Sequence, residues 1–328
     1  MFKFGDVPPL TWTEYCIPKK SGGVRIIEEP NKKLKEEQRR ILQYLYECVR
    51  VGSLEVSRVG HGFIPHRGIT TAVPLHALQS KVLIGADVHD FFISFPIEKV
   101  KEKLELAMSP AEVGFIMTCC TYKGNFPKEH FPQGSPASPY LTNIGMFDVD
   151  RMIASFCKKN GMFFTRYADD MLFSIIPGME TSTEVRRLMY ADEPFEPLLR
   201  GVELILQDHL GLELAKAKSH VMWRYSTCKT QALGITIRQD NLGYNAPKRK
   251  RRQIRAQLHR LYRKVQRQHG QFENDDWHEW ASVNGGINFC NMVRSTSVDP
   301  DVAGCDPVVQ IKYYDELERW ANAQRALR

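Results

Sequence analysis

The sequence predicts an α+β fold, in which short antiparallel hairpins and amphipathic helices occupy separate stretches of the chain. Three observations support this class. Apolar, aromatic-rich runs on both sides of residues 167–170 predict a hairpin. Two shorter apolar runs flank the Lys-Lys-Ser-Gly-Gly stretch of residues 19–23, which predicts a second hairpin. Apolar residues recur at helical spacing over residues 34–51, on a helix whose outer face is charged.

Length and composition limit the kinds of protein to consider. The chain has 328 residues, enough for one large or two ordinary domains, and 43% of them are hydrophobic. Its net charge of +7 permits an anionic partner without requiring one. We expect neither a membrane span nor a signal peptide, because no apolar run is long enough. The eight cysteines form no Cys-x-x-Cys pair, which predicts free thiols in the reducing cytoplasm.

The hairpin at residues 14–30 has a basic tip. An ordinary solvated hairpin would explain these charges, and so would a flap that places Lys19 and Arg25 against phosphates. A loop punctuated by Gly and Pro follows at residues 61–70, and a helical stretch follows at residues 72–79.

Three carboxylates stand out because they border apolar strands. Residues 82–86 predict a buried strand that ends at Asp87, and burying an unpaired carboxylate is expensive. Asp169 and Asp170 lie at the tip of the predicted hairpin, where a hydrated turn is the simpler explanation. If Asp87 and Asp169 face one another across a sheet, they can bind two divalent ions. Carboxylate oxygens suit Mg²⁺.

A Pro-Gln-Gly loop around Gln133 and Gly134 leads into a predicted helix over residues 140–159. Proline stiffening of a helix entry explains this loop. Alternatively, the loop exposes its backbone and lays Gln133 against a bound nucleotide.

The following stretch predicts two helices, at residues 184–190 and 195–209, and then a turn into a strand at residues 212–222. Lys218 in that turn is most simply a solvated charge. Residues 231–237 predict one short strand, in which Gly234 allows the close approach of another backbone.

A turn at residues 241–247 precedes a strongly basic helix over residues 248–264, and the chain closes on an amphipathic helix at residues 311–326. The basic stretch carries no acidic residue before Glu273. A solvated helix would mix charges of both signs, so this one favours binding to a phosphate backbone. The candidate contacts are Lys248, Arg249, Arg251, Arg252 and Arg255.

Taken in this order, the motifs strongly resemble those of the reverse transcriptases, from about Tyr15 to Phe289. Three features match the family's catalytic hairpin, its first metal-binding motif and its template and nucleotide loop. They are Tyr167-Ala168-Asp169-Asp170, Asp87 followed by Phe91-Phe92, and Gln133-Gly134 within Pro-Gln-Gly-Ser-Pro-x-Ser-Pro.

The resemblance implies a right-hand polymerase. Its fingers would comprise residues 1–80 with 97–130. Its palm, a small antiparallel sheet with packed helices, would comprise residues 81–96 and 131–239. A helical basic thumb would comprise residues 240–328.

The resemblance also implies the roles of the site residues. Asp87 and Asp169 would bind two Mg²⁺ ions with the help of the Val88 carbonyl, and Asp170 would lie close to them. Lys218 falls where the family has a lysine proposed to protonate the leaving pyrophosphate.

The resemblance assigns the substrate as a deoxynucleoside triphosphate. Its triphosphate would be held by Lys19 and Arg25. Leu233-Gly234 falls in the primer-grip strand. Phe92 stands where the family keeps an aromatic ring under the sugar, which would exclude a 2′-hydroxyl, whereas Phe91 would be a core residue.

Within the family, the chain looks most like the bacterial retron enzymes. Its opening Ile-Pro-Lys-Lys-Ser-Gly-Gly-Val-Arg and its basic helix carry this likeness. Two departures leave another stand-alone defence reverse transcriptase as an alternative. Residues 71–76 only approximate the retron Asn-Ala-x-x-His, and residues 232–234 are Ala-Leu-Gly in place of Val-Thr-Gly.

The retron resemblance implies a structured non-coding RNA partner that is copied into RNA-linked single-stranded DNA, in phage defence. A toxin or effector protein is a further candidate partner. Two other classes remain as alternatives. RNA-dependent RNA polymerases share the carboxylates but usually have Gly-Asp-Asp and no aromatic at the Phe92 position. A catalytically silent RNA-binding module is disfavoured because all three carboxylates are present.

Overall fold

The computed structural model describes residues 5–19, 22–77, 82–223, 231–237, 244–295 and 311–326. Their strands are β1 (Trp12–Pro18), β2 (Val24–Pro30), β3 (Val82–Asp87), β4 (Met162–Tyr167), β5 (Asp170–Ile175), β6 (His220–Trp223), β7 (Gln231–Ala232), β8 (Ile235–Ile237) and β9 (Tyr244–Asn245). Their α-helices are α1 (Lys32–Arg50), α2 (Ile69–Ala77), α3 (Phe91–Ser94), α4 (Ile97–Glu105), α5 (Pro110–Cys120), α6 (Ser138–Gly145), α7 (Phe147–Lys159), α8 (Thr183–Met189), α9 (Glu196–Leu210), α10 (Lys248–Arg267), α11 (Asn274–Ser295) and α12 (Ile311–Ala326).

The predicted α+β class is confirmed, since the strands pair antiparallel and the helices are separate from them. Three predicted features lie partly outside the described residues. They are the basic tip at residues 20–21, the end of the helical stretch at residues 78–79, and residues 241–243 of the turn before the basic helix.

The chain forms two compact units. The first comprises Met1–Ala72 with Val82–Val221, and the second comprises Val73–Lys81 with Met222–Arg328.

The first unit is built on a four-stranded sheet with the strand order β4-β5-β3-β6. Strand β5 pairs antiparallel with both β4 and β3. Residues 82–86 of β3 and 171–175 of β5 are buried without interruption. Because successive side chains point to opposite faces of a sheet, both faces are covered at these strands. This burial explains the continuous apolar runs in the sequence.

Helices α6 and α7 occupy the stretch for which the sequence predicted one helix, and that prediction was wrong. Helix α6 ends at Gly145, and α7 begins at Phe147. The break falls where Gly145 packs so closely that an added Cβ would lie 2.8 Å from the Phe95 ring and 2.9 Å from Val100. Met146 between them keeps α-region dihedrals, φ −76° and ψ −9°. The apolar periodicity therefore continues across the break and conceals it.

The second unit contains the three-stranded sheet β7-β8-β9. Its β7–β8 pair turns on Leu233 and Gly234, since Ala232 pairs with Ile235. Both turn residues have positive φ, 48° and 77°, as a type I′ turn requires. The prediction of one strand over residues 231–237 was therefore wrong. Among the residues that the structure describes, nothing lies within 4 Å of a Cβ added to Gly234, so the expected close approach of another backbone is not found there.

Helix α10 supplies the core of the second unit. It buries Ile254, Leu258, Leu261 and Val265, which pack with apolar residues of α11 and α12. The predicted basic helix is confirmed and extends to Arg267. In the described part of the chain, no helix combines the length and apolar character that crossing a bilayer requires.

Candidate active site

The hairpin β4–β5 carries two of the predicted carboxylates at its tip. Tyr167 pairs with Asp170, so that Ala168 and Asp169 form a two-residue turn. Ala168 has a φ of 54°, in the left-handed region, which costs a residue with a Cβ about 1–2 kcal/mol. The surrounding structure must therefore hold this turn in place.

Asp87 ends the neighbouring strand β3 beside this turn. Its register partner is Asp170, and the Val88 N–H donates to the Asp169 carbonyl at 3.1 Å. The metal-site prediction was conditional on Asp87 and Asp169 facing one another across a sheet. In the structure Asp87 pairs with Asp170, and Asp169 lies in the adjoining turn.

The three carboxylates repel one another. Burial and the charge of Asp87 raise the pKa of Asp169. Burial and the charges of Asp169 and Asp87 raise the pKa of Asp170 to about 6. Crowded carboxylates whose charged forms are disfavoured make a site that gains from a cation.

Lys218 supplies one such cation. Its Nζ donates to both Oδ1 and Oδ2 of Asp87 at 2.9 Å, and this hydrogen bonding raises the pKa of Lys218. Lys218 remains partly solvated, with 58% of its side chain exposed, and its ammonium group is also paired with the first of the predicted metal-binding carboxylates.

The donor chemistry of the site fits hard divalent ions. Asp87, Asp169, Asp170 and the buried Val88 line one cavity, and carboxylate and carbonyl oxygens are what Mg²⁺ prefers. In the described residues, no three His, Cys, Asp or Glu side chains are already grouped closely enough to hold a metal ion. In this arrangement the Lys218 ammonium group neutralises the charge of the Asp87 carboxylate.

The cavity has a volume of about 870 Å³ and also brings together the predicted nucleotide-binding residues. These residues come from the basic hairpin, from α3 and from the Pro-Gln-Gly loop. They are Lys19, Arg25, Phe92, Gln133 and Gly134. Phe91 is buried, as a core residue should be, while Phe92 is only half-buried beside it.

The Pro-Gln-Gly loop is tied to the basic hairpin by its backbone. The Glu28 N–H donates to the Gln133 carbonyl at 2.9 Å, and a Cβ on Gly134 would collide with the Glu28 backbone. The Glu28 carboxylate binds His130 Nε2 at 2.8 Å, and both side chains are buried. The loop also leads into α6 with a proline in its first turn, which fits a stiffened helix entry. The contact of Gln133 with a nucleotide stays a prediction.

A buried arginine anchors the β4–β5 hairpin, and sequence reasoning missed it. Arg166 Nε and Nη2 each donate to Asp150 at 2.8 Å, in an ion pair with exposed fractions of 1% and 0%. Arg166 Nη2 also donates to Asn143 Oδ1, and Nη1 donates to the Ala168 carbonyl, both at 2.9 Å. A single guanidinium thus links α6 and α7 to the strained turn.

The loop at residues 57–62 completes this anchor. The Arg166 backbone N–H donates to the Val59 carbonyl, and the His61 N–H donates to the Arg166 carbonyl, both at 2.8 Å. A Cβ on Gly62 would lie 2.7 Å from the Ala168 nitrogen, so this glycine lets the loop pack directly against the turn.

The predicted nucleic-acid contacts lie in the second unit. Arg249, Arg252 and Arg255 are exposed on α10, whereas Arg251 is half-buried. Lys248 is the first residue of that helix. Leu233 and Gly234 form the β7–β8 turn described above.

Comparison with known proteins gives consistent matches. The family model described as "Reverse transcriptase (RNA-dependent DNA polymerase)" matches residues 17–237. The retron Mx65 reverse transcriptase of Myxococcus xanthus is 30% identical over 262 residues, covering 76% of this chain and 55% of that protein. The retron Mx162 reverse transcriptase of the same organism is 26% identical, covering 76% and 52%. The retron Ec86 reverse transcriptase of Escherichia coli is 26% identical, covering 76% and 69%.

The chain therefore spans about half the length of the first two relatives. Among solved structures, apo telomerase from Candida tropicalis, truncated from its C-terminal domain, matches with a TM-score of 0.45 and 15% identity. This match covers 72% of the present chain and 55% of the telomerase chain.

Proposed function

Because the chain belongs to the reverse transcriptase family, we propose that it is an RNA-directed DNA polymerase with a right-hand architecture. One observation carries the proposal: the three carboxylates and Lys218 line the same cavity as Lys19 and Arg25. We assign the fingers to residues 1–80 with 97–130, the palm to 81–96 and 131–239, and the thumb to 240–328.

In this proposal Asp87, Asp169 and Asp170, with the Val88 carbonyl, would hold two Mg²⁺ ions. When bound, such ions neutralise charge on the reacting phosphates. Lys19 and Arg25 orient the triphosphate of the incoming nucleotide. The primer 3′-hydroxyl loses its proton to water, and its oxygen attacks the α-phosphorus in line. The bond from that phosphorus to the α–β bridging oxygen breaks, and pyrophosphate leaves with a proton from Lys218. Positioning and charge neutralisation account for the rate.

Phe92 selects the sugar. Its half-buried ring packs against Phe91, with the ring centroids 5.4 Å apart, and it lines the cavity. A ring under the sugar leaves no room for a 2′-hydroxyl. We expect Phe92→Ala to incorporate ribonucleotides, measured as the ratio of rNTP to dNTP incorporation. An unchanged ratio would remove Phe92 from this role.

We further propose the retron type, in which a structured non-coding RNA is copied into RNA-linked single-stranded DNA for phage defence. The names of the matched relatives support this type. Another stand-alone defence reverse transcriptase is the alternative, given the departures at residues 71–76 and 232–234. An effector protein is a further candidate partner.

A stripe of arginines on α10 supports the RNA partner. The stripe consists of the exposed side chains of Arg249, Arg252, Arg260, Arg263 and Arg267. At about 100° per residue these five fall within an arc of about 80°, opposite the buried Ile254 and Leu258, along about 27 Å of helix. A positive face of this length suits a phosphate backbone, which is recognised by charge and shape.

The stripe is testable through salt dependence. Replacing Arg252, Arg263 and Arg267 together by Gln should lower the slope of log affinity against log salt by about 0.7–0.9 for each lost phosphate contact. The matched control replaces Arg40, Arg50 and Lys101 by Gln. These are also exposed cations, but each is paired with an acidic residue on its own helix. Equal slopes for the two triple variants would rule out the stripe.

The proposed function is tested on nucleic acid that co-purifies with the protein from its native locus. The wild type is compared with Asp169→Ala/Asp170→Ala, and samples are treated with RNase or DNase and sequenced. A discrete DNA covalently joined to RNA, absent from the variant, supports the retron type. Polymerisation of dNTPs on added primers without such a hybrid supports the alternative reverse transcriptase. The absence of both products would favour a silent RNA-binding module.

A further inference from the structure

Phe63 is a large apolar side chain that is exposed beside the catalytic turn. It is 51% exposed and lines the same cavity as Asp87 and Asp169. Its backbone has a φ of 58°, a left-handed conformation that aromatic residues rarely adopt. Phe63 thus combines a strained backbone with an exposed apolar ring. This combination points to a function for Phe63 other than packing in the folded core.

The conformation of Phe63 is set by the loop around it. The Gly62 carbonyl accepts from Asn143 Nδ2 at 2.8 Å, and Asn143 is itself bound to the buried Arg166. Arg67 Nη1 donates to the Ser57 carbonyl at 2.6 Å and to the Gly60 carbonyl at 2.9 Å. These bonds close the loop on both sides of Phe63, so that its exposure is fixed by the fold.

The ring of Phe63 also has an aromatic neighbour in the catalytic motif. Its centroid lies 5.8 Å from that of Tyr167, with the planes tilted by 45°. The two rings form an apolar wall in a cavity whose other residues include Lys19, Arg25 and the carboxylates. Charged groups suit phosphates and metal ions, whereas a π-face suits the flat surface of a nucleobase.

We propose that Phe63 is a stacking platform for a nucleobase of the primer–template at the active site. This inference rests on the proposed polymerase function and adds a base contact to it. Stacking on an aromatic side chain accepts any base, as copying of an arbitrary template requires. The base comes either from the template or from the primer terminus, and labelled substrates distinguish these two sources.

The experiment places 2-aminopurine at one of two positions. One substrate carries it as the unpaired template base next to the primer terminus, and the other carries it as the primer-terminal base. Fluorescence and affinity are measured without dNTP for wild type, Phe63→Ala, Phe63→Tyr and Phe63→Leu. Tyr190→Ala is the matched control, because Tyr190 is 81% exposed and is not among the residues lining the cavity.

We expect Phe63→Ala to release the quenching at one position and to weaken binding by about tenfold, the usual loss for one stacked base. Phe63→Tyr should restore both readouts, because it keeps a ring. Phe63→Leu should not, although it keeps apolar bulk. The position that responds identifies the base.

Equal fluorescence and affinity for wild type and Phe63→Ala would overturn the proposal, and so would full restoration by Phe63→Leu. Primer extension by the wild type is measured on the same substrates. If the wild type extends primers, a negative result counts against Phe63 alone. If it neither binds nor extends them, the polymerase function itself fails.

Discussion

The hairpins β4–β5 and β7–β8 both turn on two residues, and both place a residue with a Cβ in the left-handed region. Ala168 has a φ of 54° and Leu233 a φ of 48°. In the first turn, the Ala168 carbonyl accepts a hydrogen bond from the buried Arg166, and the turn packs against Gly62. At the second turn, no described residue lies within 4 Å of a Cβ added to Gly234, whose own φ is 77°. The first hairpin is therefore held by distant parts of the fold, and the second by local turn chemistry.

The two ways of holding the turns match the charges at the two hairpin tips. The tip of β4–β5 exposes mutually repelling carboxylates, which destabilise the turn that carries them. A buried ionic anchor offsets that repulsion. The tip of β7–β8 carries no charge, and a glycine suffices there.

The largest effect should come from breaking the anchor. Asp150→Asn leaves the buried Arg166 guanidinium without its counter-charge, which should lower the free energy of unfolding by about 3–5 kcal/mol. Asp148→Asn is the control on the same helix, because Asp148 is half exposed in its pair with Lys103 and should cost less than about 1 kcal/mol. Denaturant titration of both variants measures the difference. Similar losses for the two would mean that Asp150 does not anchor the hairpin.

Replacing both Asp150 and Arg166 by apolar residues separates the effect of the anchor on stability from its effect on the position of the turn. Asp150→Leu combined with Arg166→Met should recover most of the stability, since apolar pairs commonly replace buried ion pairs without loss. DNA synthesis should stay low, because no donor then reaches the Ala168 carbonyl. Recovery of full synthesis would show that Arg166 acts only through stability.

A second effect comes from pH. His61 is buried in the anchoring loop, where burial and the charge of Arg67 lower its pKa to about 4. The unfolded chain takes up a proton near pH 6.5, and the folded chain does not until about pH 4. Stability is therefore retained above pH 6.5 and lost as the pH falls, by about 2 kcal/mol between pH 7 and pH 5.

His61→Asn should remove this part of the pH dependence. The measurement is the free energy of unfolding of wild type and variant at pH 7 and at pH 5. The same loss in both proteins would exclude His61 as its source.

The smallest effect should come from the locally determined turn. Gly234→Ala introduces a Cβ at positive φ without any clash, so it should cost about 1–2 kcal/mol from backbone strain alone. Gly114→Ala is the control of opposite sign. Gly114 lies exposed in α5 with equally open space and ordinary helical φ, so alanine there should add about 0.5–1 kcal/mol. Denaturant midpoints of the two variants should therefore move in opposite directions.

Local patterns were sufficient to locate the carboxylates. Asp87 ends an apolar strand, and Asp169 and Asp170 interrupt another apolar run, so the sequence marks each position directly. The break between the two helices at Met146 was not predicted, because the backbone dihedrals of Met146 remain helical. The turn at Leu233 was not predicted, because leucine is not a typical turn residue and the flanking strands are short.

Long-range pairing was not predictable in the same way. Lys218 binds Asp87 across 131 residues of sequence, and only the family resemblance suggested a role for it. Asp150 and Asn143 lie on helices where polar residues usually face solvent. Arg166 did offer a signal, since an arginine within an apolar strand requires a buried acceptor. The sequence does not say which acid supplies it.

The anchor also has a consequence for the order in which the chain folds. The guanidinium of Arg166 cannot be buried at low cost until Asp150, Asn143 and the loop at residues 57–62 have assembled around it. The contacts with the loop at residues 57–62 are distant in sequence, and such contacts are slow to form. A newly made chain should therefore complete the hairpin together with the helices behind it, and incomplete folding intermediates should lack the assembled carboxylate cluster.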